Sequence, residues 1–260
     1  MKYVFSKKIS SHNIAHLYEH IYFIYLDGYL RELGLFPILD YVLNASTTDG
    51  EVKFSLELFN SDIKVDNPRL LEIDFSHEIT ELALYQIESE YKKKYNVSSV
   101  EKLKRVLQSI NDASWDNGSE IVVDDVLEFD ESLDVEILKI ETDLGKIEAN
   151  LRPIYRRLSG IIIDMLISDL ADTFGGFVES DTYQVSGDML QGVVGFSNRV
   201  PKDQDIQKNI NEVINEFKNN GAVDRLSRES GDLGATKNDI KQGLVVLAQS
   251  LDYGIFTQNR

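Results

Sequence analysis

The succession of hydrophobic periodicities along the chain constrains its fold more than any other feature, because strands, helix, strands and helix follow one another in each half. Alternation with a period of two predicts a strand over Lys2–Ile9, and apolar positions three and four residues apart predict a helix from His12 to about Leu33. In the second half, a helix from about Lys146 to Asp172 precedes a predicted hairpin over Asp181–Asn198. This order predicts an α+β fold in which helices cover a mainly antiparallel sheet.

The other predicted elements fit the same order. They are strands over Ile38–Leu43 and Glu51–Phe59, a helix from Ser76 to about Tyr95, a helix from Ser98 or Ser99 to Ile110, a strand-rich stretch over Ser119–Thr142, and helices over Asp203–Asn219 and from Ala222 to about Leu251. We expect a single domain over residues 1–260, with a first part over 1–118 and a second sheet-and-helix part over 119–260.

Composition excludes several classes of protein. The 260 residues are 42% hydrophobic, which is enough for a substantial core, and 44 acidic against 27 basic side chains give a net charge of −17. Such a surface repels phosphate backbones and argues against nucleic-acid binding. The chain has no cysteine, which excludes disulfides, thiol catalysis and cysteine metal sites. The first residues lack the apolar core of a signal peptide, and Asp27 and Gly28 interrupt the most apolar run, so we expect a cytoplasmic protein without a membrane span.

Two of the four histidines lie in the segment His16-Leu17-Tyr18-Glu19-His20. On a helix, His16 and His20 are one turn apart on the same face and can share one metal ion. Glu19 flanks the same position, as a general base for a metal-bound water would. The pattern is the inverted zinc-peptidase motif H-x-x-E-H.

A catalytic zinc ion normally has three protein ligands, so a further carboxylate is needed. The helix beginning near Ser76 offers four glutamates: Glu78, Glu81, Glu88 and Glu90. Glu81 and Glu88 are seven residues apart and share a face, so we predict Glu88 as the third ligand and Glu81 as the acid that orients His16 or His20. Glu90 lies on a different face and is the weaker candidate.

Three segments resemble the pitrilysin, insulin-degrading and mitochondrial-processing peptidases. The segment from Asn13 to Phe23 resembles their G-I-A-H-x-x-E-H-M-x-F signature, Asn44-Ala45-Ser46-Thr47 resembles their N-A-x-T segment, and Glu81 with Glu88 matches their E-x6-E pair. The resemblance covers residues 1–95. It implies a zinc metallopeptidase shaped as one half of a pitrilysin-type clamshell, with the ligands and base named above. It also implies that Asn44 and Ala45 hold the substrate backbone, and that the substrates are short or unfolded peptides such as leader or targeting peptides.

The chain departs from that family in ways that bear on its partners. Only one strand precedes the motif, and the stretch before Asn44 is shorter than usual. The family builds its chamber from two homologous halves, of which the second offers an arginine and a tyrosine to the substrate. Tyr183 matches the tyrosine, but no arginine precedes it at the expected spacing. We therefore expect a second, related subunit to complete the site, with a heterodimer containing a metal-free partner favoured over a homodimer.

Other functions compete with this interpretation. The chain could be a non-catalytic peptide-binding or partner subunit with a peptidase-like fold, although such subunits typically lose the motif residues. It could also be a metal-dependent amidase or esterase that uses the same residues. A di-iron helical bundle is excluded, because it requires Glu-x-x-His on two helices and far fewer strands.

Overall fold

The computed structural model describes residues 1–59, 65–147, 151–186, 188–229 and 236–257. The chain divides into two compact units, Met1–Leu133 and Asp134–Arg260. Both units combine helices with mainly antiparallel strands, which confirms the predicted α+β class. The boundary falls after Leu133 rather than after residue 118. That the two units act as one domain stays a prediction.

The described residues of the first unit form a four-stranded sheet, a two-stranded sheet and three α-helices. In chain order its elements are β1 (Lys2–Ile9), α1 (His12–Glu32), β2 (Tyr41–Thr48), β3 (Glu51–Leu58), α2 (His77–Tyr91), β4 (Lys93–Val97), α3 (Val100–Asp112), β5 (Glu120–Ile121) and β6 (Leu127–Ser132). The larger sheet has the strand order β2-β3-β1-β5, and its only parallel pair in the described residues is β1 with β5. The smaller sheet pairs β4 with β6.

The strands described in the second unit form one antiparallel sheet. Its elements are β7 (Glu136–Asp143), α4 (Arg152–Phe174), β8 (Phe177–Ser186), β9 (Met189–Phe196), α5 (Asp203–Asn219), α6 (Ala222–Glu229), α7 (Lys237–Ser250) and β10 (Asp252–Thr257). The strand order is β10-β7-β9-β8. The apolar middle of α4 packs on this sheet, and Ile161, Ile162 and Ile163 are fully buried.

Several predicted boundaries were wrong for local reasons. The helix from Ser76 ends at Tyr91 rather than near Tyr95, because Lys92 adopts the left-handed conformation (φ 53°) and the chain turns into β4. The helix predicted from Lys146 begins at Arg152, where Pro153 occupies the first turn. The last predicted helix is divided into α6 and α7 and is followed by β10, a strand that periodicity did not reveal.

An aromatic cluster fixes α1 against the larger sheet. The Phe5 ring on β1 lies 5.4 Å from Phe54 on β3 and 6.0 Å from Tyr22 on α1, measured between ring centroids. Trp115 packs edge-on to Phe5 at 4.7 Å, and its indole N–H donates a 3.1 Å hydrogen bond to the carbonyl of Arg69. Large aromatic side chains of this kind contribute much of the burial in a core. The helix that carries the histidines is therefore held rigidly on the sheet.

The hairpin between β2 and β3 is set by one glycine. Asp49 (φ 49°) and Gly50 (φ 76°) form a two-residue turn with both residues in the left-handed region. A Cβ atom on Gly50 would lie 2.2 Å from the carbonyl oxygen of Ile9, so only glycine fits. The turn pairs Thr48 with Glu51 and fixes the register of β2, which is an edge strand. Among the helices described above, we find no candidate for a membrane span.

Candidate metal centre

Helix α1 supplies three residues of the candidate site and begins with a defined cap. The Ser11 hydroxyl accepts the backbone N–H of Ile14 and donates to a carboxylate oxygen of Asp125 at 2.8 Å. One turn later His16 is only 8% exposed, and Glu19 is 9% exposed. Burying these polar side chains is costly unless they have partners, so their contacts indicate what the site can do.

Three potential ligand atoms converge between α1 and α2. The Nε2 atoms of His16 and His20 are 3.2 Å apart, and Oε2 of Glu90 lies 3.1 Å from the first and 3.3 Å from the second. A tetrahedral zinc ion with ligands at about 2.0–2.1 Å has ligand atoms roughly 3.3–3.4 Å apart. The triangle is therefore close to the size that zinc requires. Two imidazoles and one carboxylate are also a donor set typical of catalytic zinc.

The structure places Glu90, not Glu88, beside the histidines. Residues 88 and 90 differ by about 200° around a helix, so only one of them can face α1. The Glu88 side chain is 2% exposed, and its Oε1 accepts the backbone N–H of Tyr95 at 2.9 Å, which ties β4 to α2. The shared face of Glu81 and Glu88 was predicted from their spacing, but spacing alone did not reveal which face of α2 meets α1.

The groups that orient the imidazoles also differ from the prediction. Nδ1 of His20 lies 2.9 Å from Oε1 of the buried Gln86, and Nδ1 of His16 lies 2.6 Å from the hydroxyl of Tyr91. Glu81 is near His77, whose Nε2 is 4.0 Å from its carboxylate. Because the Gln86 oxygen can only accept, Nδ1 of His20 carries a proton. Nε2 is then the atom that donates to Glu90 when the ring is protonated, and the atom whose lone pair could bind a metal ion when it is not. Orientation of a ligand ring by a hydrogen bond at its other nitrogen is typical of metal sites.

The electrostatics of the cluster favour an ionised carboxylate. Burial opposes charge on Glu90, but hydrogen bonds from His16 and His20 outweigh it and lower the pKa of Glu90 to about 2. Burial likewise opposes charge on His20, but hydrogen bonds to Glu90 and Gln86 outweigh it and raise the pKa of His20. The negative charge of Glu19 contributes to the same rise. The pocket is therefore suited to hold positive charge, whether a proton or a cation.

Glu19 is held by a residue of β2. The hydroxyl of Thr47 donates a 2.5 Å hydrogen bond to Oε2 of Glu19, which leaves the other carboxylate oxygen free of that contact. Thr47 is the last residue of the Asn44–Thr47 segment, but the sequence did not identify it as a partner of Glu19. The hairpin register described above places it there.

The predicted substrate-binding residues lie on two edge strands. In an antiparallel hairpin, residue pairs that exchange backbone hydrogen bonds alternate with pairs that do not. Counted from the turn, Asn44 and Ser55 form a hydrogen-bonded pair. Ala45 belongs to a pair of the other kind, so its N–H and C=O point away from β3. Asn44 is exposed, and Ala45 is partly buried on the same strand face as Thr47. Tyr183 belongs to β8 of the second unit, in register with Gln191, and its side chain lies outside the described residues.

Comparisons with known proteins give a limited result. No protein-family model matches the sequence, and no curated protein is detectably similar to it. Among solved structures, a protease from Helicobacter pylori is similar at 14% identity with a TM-score of 0.29, over 96% of this chain and 87% of that chain. A predicted insulinase-family protease from Yersinia pestis follows at 13% identity and a TM-score of 0.27, over 98% and 86%. Pitrilysin is similar at 8% identity and a TM-score of 0.20, over 98% of this chain and 40% of that chain.

Proposed function

We propose that this chain is a zinc-dependent peptidase that hydrolyses short or unfolded peptides, with Glu19 as the general base. The observation that carries the proposal is the convergence of two imidazole nitrogens of α1 and one carboxylate oxygen of α2 at 3.1–3.3 Å from one another. The buried Glu19 lies on α1 directly before His20. His16, His20 and Glu90 are the proposed ligands, and Glu90 replaces Glu88 in this role. Zinc bound there would activate a water molecule and polarise the carbonyl group of the scissile bond.

Residues of α1 and β2 would transfer the proton and bind the substrate. Thr47 holds Oε2 of Glu19, so Glu19 would take the proton of the attacking water molecule at Oε1 and pass it to the leaving amine. The free edge of β2 would bind the substrate as an added strand, with the backbone groups of Ala45 as partners. This arrangement suits an extended peptide better than a folded protein. The role of Asn44 at this edge stays a prediction.

Metal analysis tests the proposal directly. We expect elemental analysis to find one zinc per chain in the wild-type protein and none in His16→Ala, because removing one of three ligands leaves an incomplete site. His77→Ala is the matched control, since His77 is an exposed histidine of α2 outside the triangle. The zinc-loaded wild type should also cleave an unstructured peptide library. Absence of zinc after the metal is supplied would contradict the metal site, and zinc without cleavage would contradict the peptidase assignment.

The predicted second subunit is a separate proposal. It is supported by the lack of an arginine before Tyr183 at the spacing of the family that the sequence resembles. We expect the purified chain to cleave peptides poorly alone and to gain activity in a complex with a related subunit that lacks the zinc motif. Size-exclusion chromatography with an activity assay on each fraction checks this. Full activity in a monomer fraction would show that the chain needs no partner.

A further inference from the structure

A pair of hydrogen bonds leads from the candidate metal centre to the surface. Nδ1 of His16 lies 2.6 Å from the Tyr91 hydroxyl, and the same hydroxyl lies 3.3 Å from Nε2 of His12. His12 is exposed and is the first residue of α1, one turn before His16. His12 and Tyr91 border an open surface pocket together with Asn13, Lys93 and Phe129. One end of this pair of bonds is therefore at solvent and the other at a proposed ligand.

The direction of these bonds decides whether His16 can bind a cation. A hydroxyl has one proton, which Tyr91 can give either to His16 or to His12. If Tyr91 donates to Nδ1 of His16, the imidazole proton sits on Nε2 and blocks the atom that faces Glu90. If Tyr91 donates to His12, its oxygen accepts from Nδ1 of His16, and Nε2 keeps its lone pair for a metal ion.

The two imidazoles of the site differ in this respect. The Gln86 oxygen is an acceptor whatever its surroundings, so the tautomer of His20 is fixed by one residue. The Tyr91 hydroxyl can either donate a hydrogen bond to His16 or accept one from it, so a further acceptor for the hydroxyl proton is needed to set the tautomer of His16. His12 is the described residue that offers one. The Tyr91 ring itself is held edge-on against Phe129 at 5.2 Å, which keeps the hydroxyl between the two histidines.

We propose that, when a metal ion replaces the proton that Nε2 of His16 donates to Glu90, His12 accepts the hydroxyl proton of Tyr91 and thereby allows Tyr91 to accept the proton on Nδ1 of His16. His12 and Tyr91 are then positioning residues that prepare His16 to bind the metal. The inference rests on the proposed metal site, but it concerns the residues that hold the imidazole ring of one ligand and is tested by metal affinity rather than by peptide cleavage.

Zinc affinity provides the test, measured on the full chain by competition with a chelator. Tyr91→Phe keeps the ring that packs on Phe129 but removes the hydroxyl, and we expect zinc to bind about 10–100-fold more weakly. His12→Leu should weaken binding in the same direction by a smaller factor, and His12→Gln should restore it, because a glutamine oxygen can accept the hydroxyl proton. His77→Leu is the control and should bind zinc as the wild type does. Wild-type affinity in both Tyr91→Phe and His12→Leu would show that the two residues serve only in packing and would overturn the proposal.

The proposed metal site and the proposed roles of His12 and Tyr91 fail in distinguishable ways. Absence of zinc binding in the wild type would contradict the metal site. Zinc binding of equal affinity in the wild type, Tyr91→Phe and His12→Leu would contradict only the roles of His12 and Tyr91.

Discussion

Glu90→Gln is expected to lose zinc, whereas Glu88→Gln is expected to keep it. The two glutamates are two residues apart on α2, but only Glu90 lies within 3.3 Å of both imidazole Nε2 atoms. An amide in place of the Glu90 carboxylate removes the negative charge that offsets the metal. Affinity should therefore fall by more than the roughly 10–100-fold that loss of an orienting partner costs. Chelator competition on the two purified variants measures the difference.

Glu88→Gln serves as the matched control for this comparison. Glutamine can still accept the backbone N–H of Tyr95, so β4 should remain attached to α2. The change from a charged to a neutral acceptor should cost about 1 kcal/mol of unfolding free energy, measured by urea denaturation. If zinc were instead lost from Glu88→Gln and retained by Glu90→Gln, the assignment from the E-x6-E spacing would be right and the geometric one wrong.

Glu19→Gln is expected to abolish peptide turnover while zinc remains bound at one ion per chain. The amide cannot take a proton, although it can still accept the Thr47 hydroxyl, so the position of the side chain should be kept. Loss of a general base typically costs about 10²–10⁴-fold in rate. Peptide cleavage and metal content are measured on the same preparation.

Two further variants separate the role of Glu19 from a general effect of charge. Glu32→Gln changes an exposed glutamate of the same helix and should cleave peptides at the wild-type rate. Thr47→Val removes the hydrogen bond to Glu19 but not the carboxylate, so a partial loss of rate is expected. Turnover by Glu19→Gln close to that of the wild type would rule out Glu19 as the base.

The sequence predicted which side chains of α1 lie together better than it predicted which side chain of α2 lies beside them. His16, Glu19 and His20 lie within five residues of one helix, so their relative positions follow from helix geometry alone. To predict the third proposed ligand, the rotation of α2 about its axis relative to α1 must be known, and this rotation depends on side-chain packing between the helices. Four glutamates on one helix cannot be ranked by spacing when that rotation is unknown.

A signal for the correct face of α2 was nevertheless present in the sequence. Gln86 and Glu90 are four residues apart, so they share a face and can contact the same histidine. Thr47 could not have been linked to Glu19 in this way. Its position depends on the register of β2, which the Asp49-Gly50 turn sets through contacts with β1 that are distant in sequence.

The difference between contacts that are near and contacts that are distant in sequence also explains which elements of the fold were predicted. α5 was predicted with its observed bounds, Asp203–Asn219, because apolar residues recur along it at helical spacing. β10 was missed because it is six residues long and follows directly after α7. Its assignment depends on pairing with β7, a contact between residues more than a hundred positions apart along the chain.

The convergence of ligands from α1 and α2 also concerns the folding of the first unit. A zinc ion shared by His20 and Glu90 would act as a cross-link that closes a loop of roughly 70 residues, and links that close long loops restrict the unfolded chain most. Zinc would then stabilise the folded state by mass action, by about 2.7 kcal/mol at a free concentration of one hundred times its dissociation constant. The ion that serves the chemistry would thus also cross-link α1 to α2, and its removal would lower the free energy of unfolding of the first unit.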